Sequence, residues 1–218
     1  VIAVWGLINV KEAKFLLKVR RRDFLVMMIT FLATLFLGIE KGILIGVVLS
    51  FIFVQYYSSR PHIAELVRIP GTEYFRNINR FPEAPQSQDY LIIRFDNQLY
   101  FGNTAYFKDA VFSALECRAS PPRYLILNST NMHDVDSTGL HVLQDIQSHL
   151  QRSNIQLLFT GVIGPVRDFL KRSGFTDDLG IEHYFMNMTD AINYTEKGIP
   201  LPNKEVALQY NVHRSLFD

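Results

Sequence analysis

Between Phe24 and Val54 lie 31 residues with two charged side chains, Glu40 and Lys41. Few soluble core helices are apolar on every face for so long. One straight helix over this run would be about 46 Å long, well beyond a hydrocarbon core of about 30 Å. A break at Gly38-Ile39-Glu40-Lys41-Gly42 is therefore expected. It leaves arms at Phe24–Leu37 and Ile43–Val54, roughly 21 and 18 Å long, each too short to cross a bilayer alone. The pattern predicts a short membrane hairpin over 24–54. A charged tip at partial depth needs cover from other protein or water, so Glu40 and Lys41 imply a larger membrane domain around this piece.

The flanks support that expectation. The chain opens on an apolar stretch, Val1–Val10, without a basic n-region or a small-residue cleavage site, and so reads as part of something longer rather than as a signal peptide. Lys11, Lys14, Lys18, Arg20, Arg21 and Arg22 follow, interleaved with Phe15, Leu16, Leu17 and Val19. In isolation such a stretch is explained as a solvated helix face; before an apolar hairpin it reads as an amphipathic segment at a membrane surface. Arg20 to Arg22 flank one end of the hairpin and Arg60 the other, which places that side in the cytoplasm. The net charge of +1 hides two unlike parts: residues 1–60 hold eight Lys or Arg against three Asp or Glu, whereas 61–218 hold fourteen against eighteen. The first part, 1–58, reads as the end of a membrane domain. The single Cys117 excludes an intrachain disulfide, and no His or Cys cluster suggests a metal site.

Residues 59–88 are rich in Pro and polar side chains, and Pro70-Gly71 sits between two extendable segments, so this stretch reads as a linker with a hairpin-like lead-in. From residue 89 to 198 strands and helices alternate. Tyr90–Asp96 reads as a strand, followed by a short extended piece, Gln98–Gly102. Asn103 or Thr104 caps a helix running to Cys117. Tyr124–Asn128 is a short, fully apolar strand, the type buried on both faces. A helix is expected from Leu140 to about Gln151, a strand at Ile155–Phe159, a helix around Val166 to Leu170 stopped by Ser173-Gly174, a weak strand near Ile181–Phe185, and a last helix from about Thr189 to Glu196. This order predicts an α/β domain with a small mixed sheet and packed helices. Residues 199–218 read as a tail.

The most informative loop is His133-Asp134-Val135-Asp136-Ser137-Thr138-Gly139-Leu140, which joins a buried strand to a helix. Asp136 and Ser137 can cap that helix, and Gly139 permits close backbone approach, so capping alone explains the residue types. A hydroxyl at an exposed helix N-terminus is also a suitable phosphate acceptor, because free N–H groups and the helix dipole stabilise the added charge. Asp136, Ser137, Thr138 and Gly139 are thus the candidate regulatory or interaction loop.

At these residues the sequence resembles a known family. The loop VDSTGL, the upstream LYFGN, the lead-in RPHIAELVRIPGT and the apolar FLATLFLGIEKGILIGVVLS together look like the C-terminal part of the sulfate permease (SulP, solute carrier 26) anion transporters. That resemblance implies a membrane domain of fourteen segments in two inverted repeats followed by a cytoplasmic STAS domain, with Val1–Val10 as the end of the twelfth segment and the hairpin as the thirteenth and fourteenth, in the gate half. It implies transport of sulfate or a similar inorganic anion, contact with membrane lipid, a homodimer, and a possible regulatory protein at the STAS domain. The family's anion site sits between half-helices of the third and tenth segments, which this chain does not contain, so its substrate-binding residues are expected elsewhere. Ser137 and Thr138 match the phosphorylation motif of anti-sigma factor antagonists, where Thr138 corresponds to the usual acceptor. A membrane-anchored STAS signalling module of that antagonist type, regulated by phosphorylation, is the alternative.

Other chemistry is thin. Phosphate-loop, dinucleotide, zinc-protease and nucleophile-elbow motifs are absent from the sequence, and Gly161-Val162-Ile163-Gly164 lacks the Lys a phosphate loop needs. No enzyme activity and no cofactor are expected. His133 and Asp136 could be read as an acid/base pair, but a lone loop His is ordinarily solvated. Arg167, Lys171 and Arg172 cluster where helix C-terminal capping explains them, and the acidic balance of the soluble part argues against nucleic acid.

Overall fold

The computed structural model describes residues 10–198, and the chain divides after Ser58 into two compact units. The expectations for 1–9 and for the 199–218 tail lie outside the described residues.

Among the described residues the first unit holds three helices, α1 (Val10–Val19), α2 (Arg21–Leu37) and α3 (Ile39–Ser58). The expected break is present, but it is confined to Gly38, whose φ of 91° is open to glycine. Glu40 and Lys41 are taken into the first turn of α3, and the helices continue past the apolar limits into Arg21-Arg22-Asp23 at one end and Gln55–Ser58 at the other. The helices are thus longer than the expected arms: α3, with 20 residues, is long and apolar enough to cross a membrane. Among the described residues it is the one helix that meets this test.

Helices α2 and α3 run antiparallel, with Gly42 against Thr34 and Gly46 against Thr30. Gly42 and Gly46 are the buried residues of α3, while most of its apolar side chains, including Leu44, Phe51 and Val54, are exposed. A Cβ added at Gly46 would meet Thr30 Oγ1 at 2.8 Å and Cγ2 at 2.9 Å, so the small-residue row sets how closely the helices approach. Arg22 places its guanidinium 3.6 Å from the centre of the Tyr57 ring, a cation–π contact between the outer ends of the two helices.

The second unit is built on a six-stranded sheet in the order β2-β1-β3-β4-β5-β6, comprising β1 (Ile63–Arg68), β2 (Phe75–Asn77), β3 (Tyr90–Phe95), β4 (Tyr124–Asn128), β5 (Gln156–Thr160) and β6 (Tyr184–Phe185). β1 pairs antiparallel with β2 and β3, and β3 to β6 are parallel. The lead-in hairpin is therefore part of the sheet rather than a linker, turning at Gly71 with φ 74°. Among the described residues five α-helices accompany the sheet: α4 (Thr104–Glu116), α5 (Ser137–Arg152), α6 (Gly164–Arg172), α7 (Phe175–Leu179) and α8 (Met188–Lys197). The strand pleat sends Leu91, Ile93, Leu125, Leu127, Leu157 and Phe159 into one core with α4 to α7, and Ile92, Ile126 and Leu158 into a second core with α8. Both faces are covered, as the fully apolar Tyr124–Asn128 strand requires.

Two local expectations are corrected. The Gln98–Gly102 piece forms a single bridge, Leu99 with Val135, rather than a strand. Asn103 sits at the N-cap position of α4, but its side chain turns back: Oδ1 accepts from the Tyr100 N–H at 3.0 Å and Nδ2 donates to the Gln98 carbonyl at 2.8 Å, holding the preceding turn. The short helix α7, which buries Phe175, Thr176 and Leu179, has no sequence signature, because its five residues are too few to show a helical period.

A candidate regulatory loop at the start of helix α5

The parallel connection from β4 to α5 passes over the carboxyl end of the sheet, and the predicted loop lies there. Its helix starts at Ser137, three residues earlier than expected, because Asp136 is the N-cap: its φ and ψ are −86° and 178°, and Oδ1 accepts the Gly139 N–H at 2.7 Å. The second carboxylate oxygen, Oδ2, accepts the Phe101 N–H at 2.9 Å. One side chain thus caps α5 and pins a loop 35 residues away. Two backbone bonds run alongside, from Leu99 N–H to the Asp134 carbonyl at 2.9 Å and from Asp136 N–H to the Leu99 carbonyl at 3.0 Å.

Gly139 is required by this contact. A Cβ there would meet the Leu99 carbonyl oxygen at 2.7 Å and the Val135 side chain at 3.1 Å. Leu99 and Val135 are buried beneath it. Ser137 and Thr138, by contrast, are exposed on the first turn of a 16-residue helix, and their hydroxyls make no hydrogen bond among the described residues. All four predicted residues are brought together, two as scaffold and two as free hydroxyls. His133 and Asp136 do not form a pair: the His133 ring meets the Asn131 carbonyl at 3.2 Å. Beside the loop Phe101 is 69% exposed, a large apolar side chain held at the surface by the Asp136 contact.

A neighbouring polar cluster was missed by sequence reasoning. Asp96, just past β3, accepts from Arg94 Nη2 at 2.8 Å, Asn131 Nδ2 at 2.6 Å and His62 Nδ1 at 2.8 Å. Burial pushes the Asp96 carboxyl up, but the hydrogen bonds from Arg94, Asn131 and His62, with the Arg94 charge, outweigh it and hold the group below the usual carboxylate range. The cluster ties the start of β1, the end of β3 and the loop after β4 together.

The fold agrees with comparison to known proteins. The STAS domain family model matches residues 81–191. The chain belongs to the STAS domain family. The STAS domain is not the whole of the similarity. The chain is 34% identical over 212 residues to the chloroplastic sulfate transporter 4.1 of Arabidopsis thaliana, covering 93% of this chain and 31% of that protein. It is 30% identical to the high affinity sulfate transporter 1 of Stylosanthes hamata, covering 88% and 30%. The structure of the murine solute carrier 26 family member A9 anion transporter, in its inward-facing state, matches with a TM-score of 0.76 at 22% identity, covering 84% of this chain and 30% of that one, a likeness of fold. This chain spans about a third of the length of the curated relatives it matches. The pattern fits the last membrane helices and STAS domain of the sulfate permease family.

Proposed function

We propose that this chain is the C-terminal portion of a secondary active transporter of sulfate or a similar inorganic anion. In this reading α2 and α3 are gate helices facing lipid, and the STAS domain is a cytoplasmic regulatory and interaction module in a homodimer. The supporting observation is that similarity to sulfate transporters covers 93% of the chain and so extends beyond the STAS match at 81–191 into the apolar helices. A membrane-anchored signalling module would need an apolar anchor before its STAS domain, but not likeness to sulfate transporters along that anchor. The chain acts through binding and transport rather than catalysis, and needs no cofactor.

Regulation is assigned to Ser137 and Thr138, with Thr138 as the phosphate acceptor. The Asp136 carboxylate already occupies the Gly139 N–H. A phosphate added one or two residues along brings about two more negative charges to the same helix end. It competes with Asp136 for the helix N-terminus and repels it, which loosens the Asp136–Phe101 tie and frees the exposed Phe101 loop. The test uses vesicles holding the full-length protein: Thr138→Glu is expected to change the initial rate of sulfate uptake at least twofold while Thr138→Ala keeps the unphosphorylated rate. Equal rates in both variants, with equal amounts of folded protein, would remove the regulatory assignment.

A further inference from the structure

Helix α8 and the lead-in hairpin border a cleft of about 290 Å³. On one side α8 presents Thr189, Ile192, Asn193, Glu196 and Lys197, which recur every three to four residues and so form one stripe along the helix. On the other stand Arg68 at the end of β1, Glu73 in the turn and Phe75 at the start of β2. Ile192 is buried and Phe75 half-buried, both packed in the second core, so the floor is apolar. The rim carries both signs of charge, yet Arg68, Glu73, Glu196 and Lys197 form no ion pair with one another among the described residues. Arg68 instead donates through Nε to the Thr72 carbonyl at 3.0 Å, and Glu196 accepts from the Tyr90 hydroxyl at 3.4 Å.

The chain leaves α8 at this cleft. Gly198 ends the helix in the left-handed region, with φ 60° and ψ 20°, and its N–H reaches the Tyr194 carbonyl at 3.0 Å, which turns the chain off the helix axis. The sequence then reads Ile199-Pro200-Leu201-Pro202, outside the described residues. A residue before proline is disfavoured in a helix and favoured in extended backbone, so two such pairs in a row oppose any continuation of α8. Proline also brings no N–H that a groove would have to satisfy. The lengths agree: four residues of polyproline-like chain span about 12 Å, and the stripe from Thr189 to Lys197 runs about 12 Å along α8. Lys204 and Glu205 follow, one charge of each sign.

We propose that residues 199–205 of this same chain turn back at Gly198 and lie in the cleft as an extended strap between α8 and the lead-in hairpin. Ile199 and Leu201 bury apolar surface on the floor of Phe75 and Ile192, and Lys204 and Glu205 meet the charges of Glu73 and Arg68. Exposed ion pairs contribute little, so the apolar contact sets the grip. Tethering favours this occupant over one from solution, because a segment joined to the rim through a single turn is present at an effective concentration on the order of millimolar. The strap ties the last helix of the α/β unit to its first two strands. It rests on neither the transport reading nor phosphorylation.

The test uses the full chain in detergent, with Asn193→Cys as a reporter in the cleft. Cys117, exposed at the end of α4 on the other face of the sheet, serves as the internal reference. Maleimide labelling at position 193, relative to Cys117, is expected to be at least tenfold slower with the parent tail than with Ile199→Asp and Leu201→Asp together, the helix content of the two chains being matched by circular dichroism. Thr189→Cys, a second reporter, should respond in the same way. Protection should be unchanged when the protein is diluted, as an intrachain contact requires. Equal rates with the two tails at both reporters, whether both fast or both slow, would overturn the proposal. So would protection that fades on dilution, which would assign the strap to a second copy of the chain.

Discussion

At the scale of single residues, Asp136 carries more than its place in a capping motif suggests. Its two oxygens join the helix N-terminus to the Phe101 loop. Asp136→Ala is expected to cost about 1–2 kcal/mol, near the upper end for a lost N-cap because a second tie goes with it, as read from urea unfolding of the α/β unit by circular dichroism. Asp96 gives a pH-dependent counterpart. Its carboxyl titrates lower in the folded than in the unfolded chain, so its contribution is present above the unfolded pKa and lost as pH falls through the folded one. The urea midpoint should decline below about pH 4, and Asp96→Asn should flatten that part of the decline; an unchanged acid limb would dissociate the cluster from acid stability. The difference between the two aspartates explains what could be read from the sequence. The Asp136–Gly139 contact spans three residues and leaves a local signature, whereas Asp96 meets His62 and Asn131 across 34 and 35 residues, distances at which no local pattern survives.

At the scale of elements, apolar period and punctuation located α4, α5, α6 and α8 and strands β1, β3, β4 and β5. Boundaries erred where tertiary structure supplied what the local sequence did not. α5 gained its first turn from the cap at Asp136, and α2 and α3 ran on through charged and polar residues because helical hydrogen bonding does not stop where apolarity does. The hairpin's interior depends on the glycines of α3. Gly46→Ala is expected to destabilise the helix pair by about 1–3 kcal/mol through overpacking against Thr30, measured by thermal unfolding in detergent. Adding Thr30→Ala should restore most of the loss. A Gly46→Ala chain as stable as the parent, or a double variant no better than the single, would show that this contact does not set the packing.

At the scale of the whole molecule, the near-neutral charge resolves into a basic stretch before the apolar helices and an acidic α/β unit. The compartment follows from that stretch in the proposed reading, and Cys117 can report it. It is the single cysteine of the chain and is exposed in the STAS domain. Retained as the sole cysteine of the full-length protein, it should react with a membrane-impermeant maleimide in inside-out vesicles and stay unlabelled in right-side-out ones. Transport is the claim on which the rest of the reading turns. The direct measurement is the initial rate of radiolabelled sulfate uptake by vesicles holding the full-length protein, with and without excess unlabelled sulfate. Saturable uptake is expected, well above that of protein-free vesicles and suppressed by the competitor. Uptake equal to that of protein-free vesicles, or unaffected by competing anion, would contradict it.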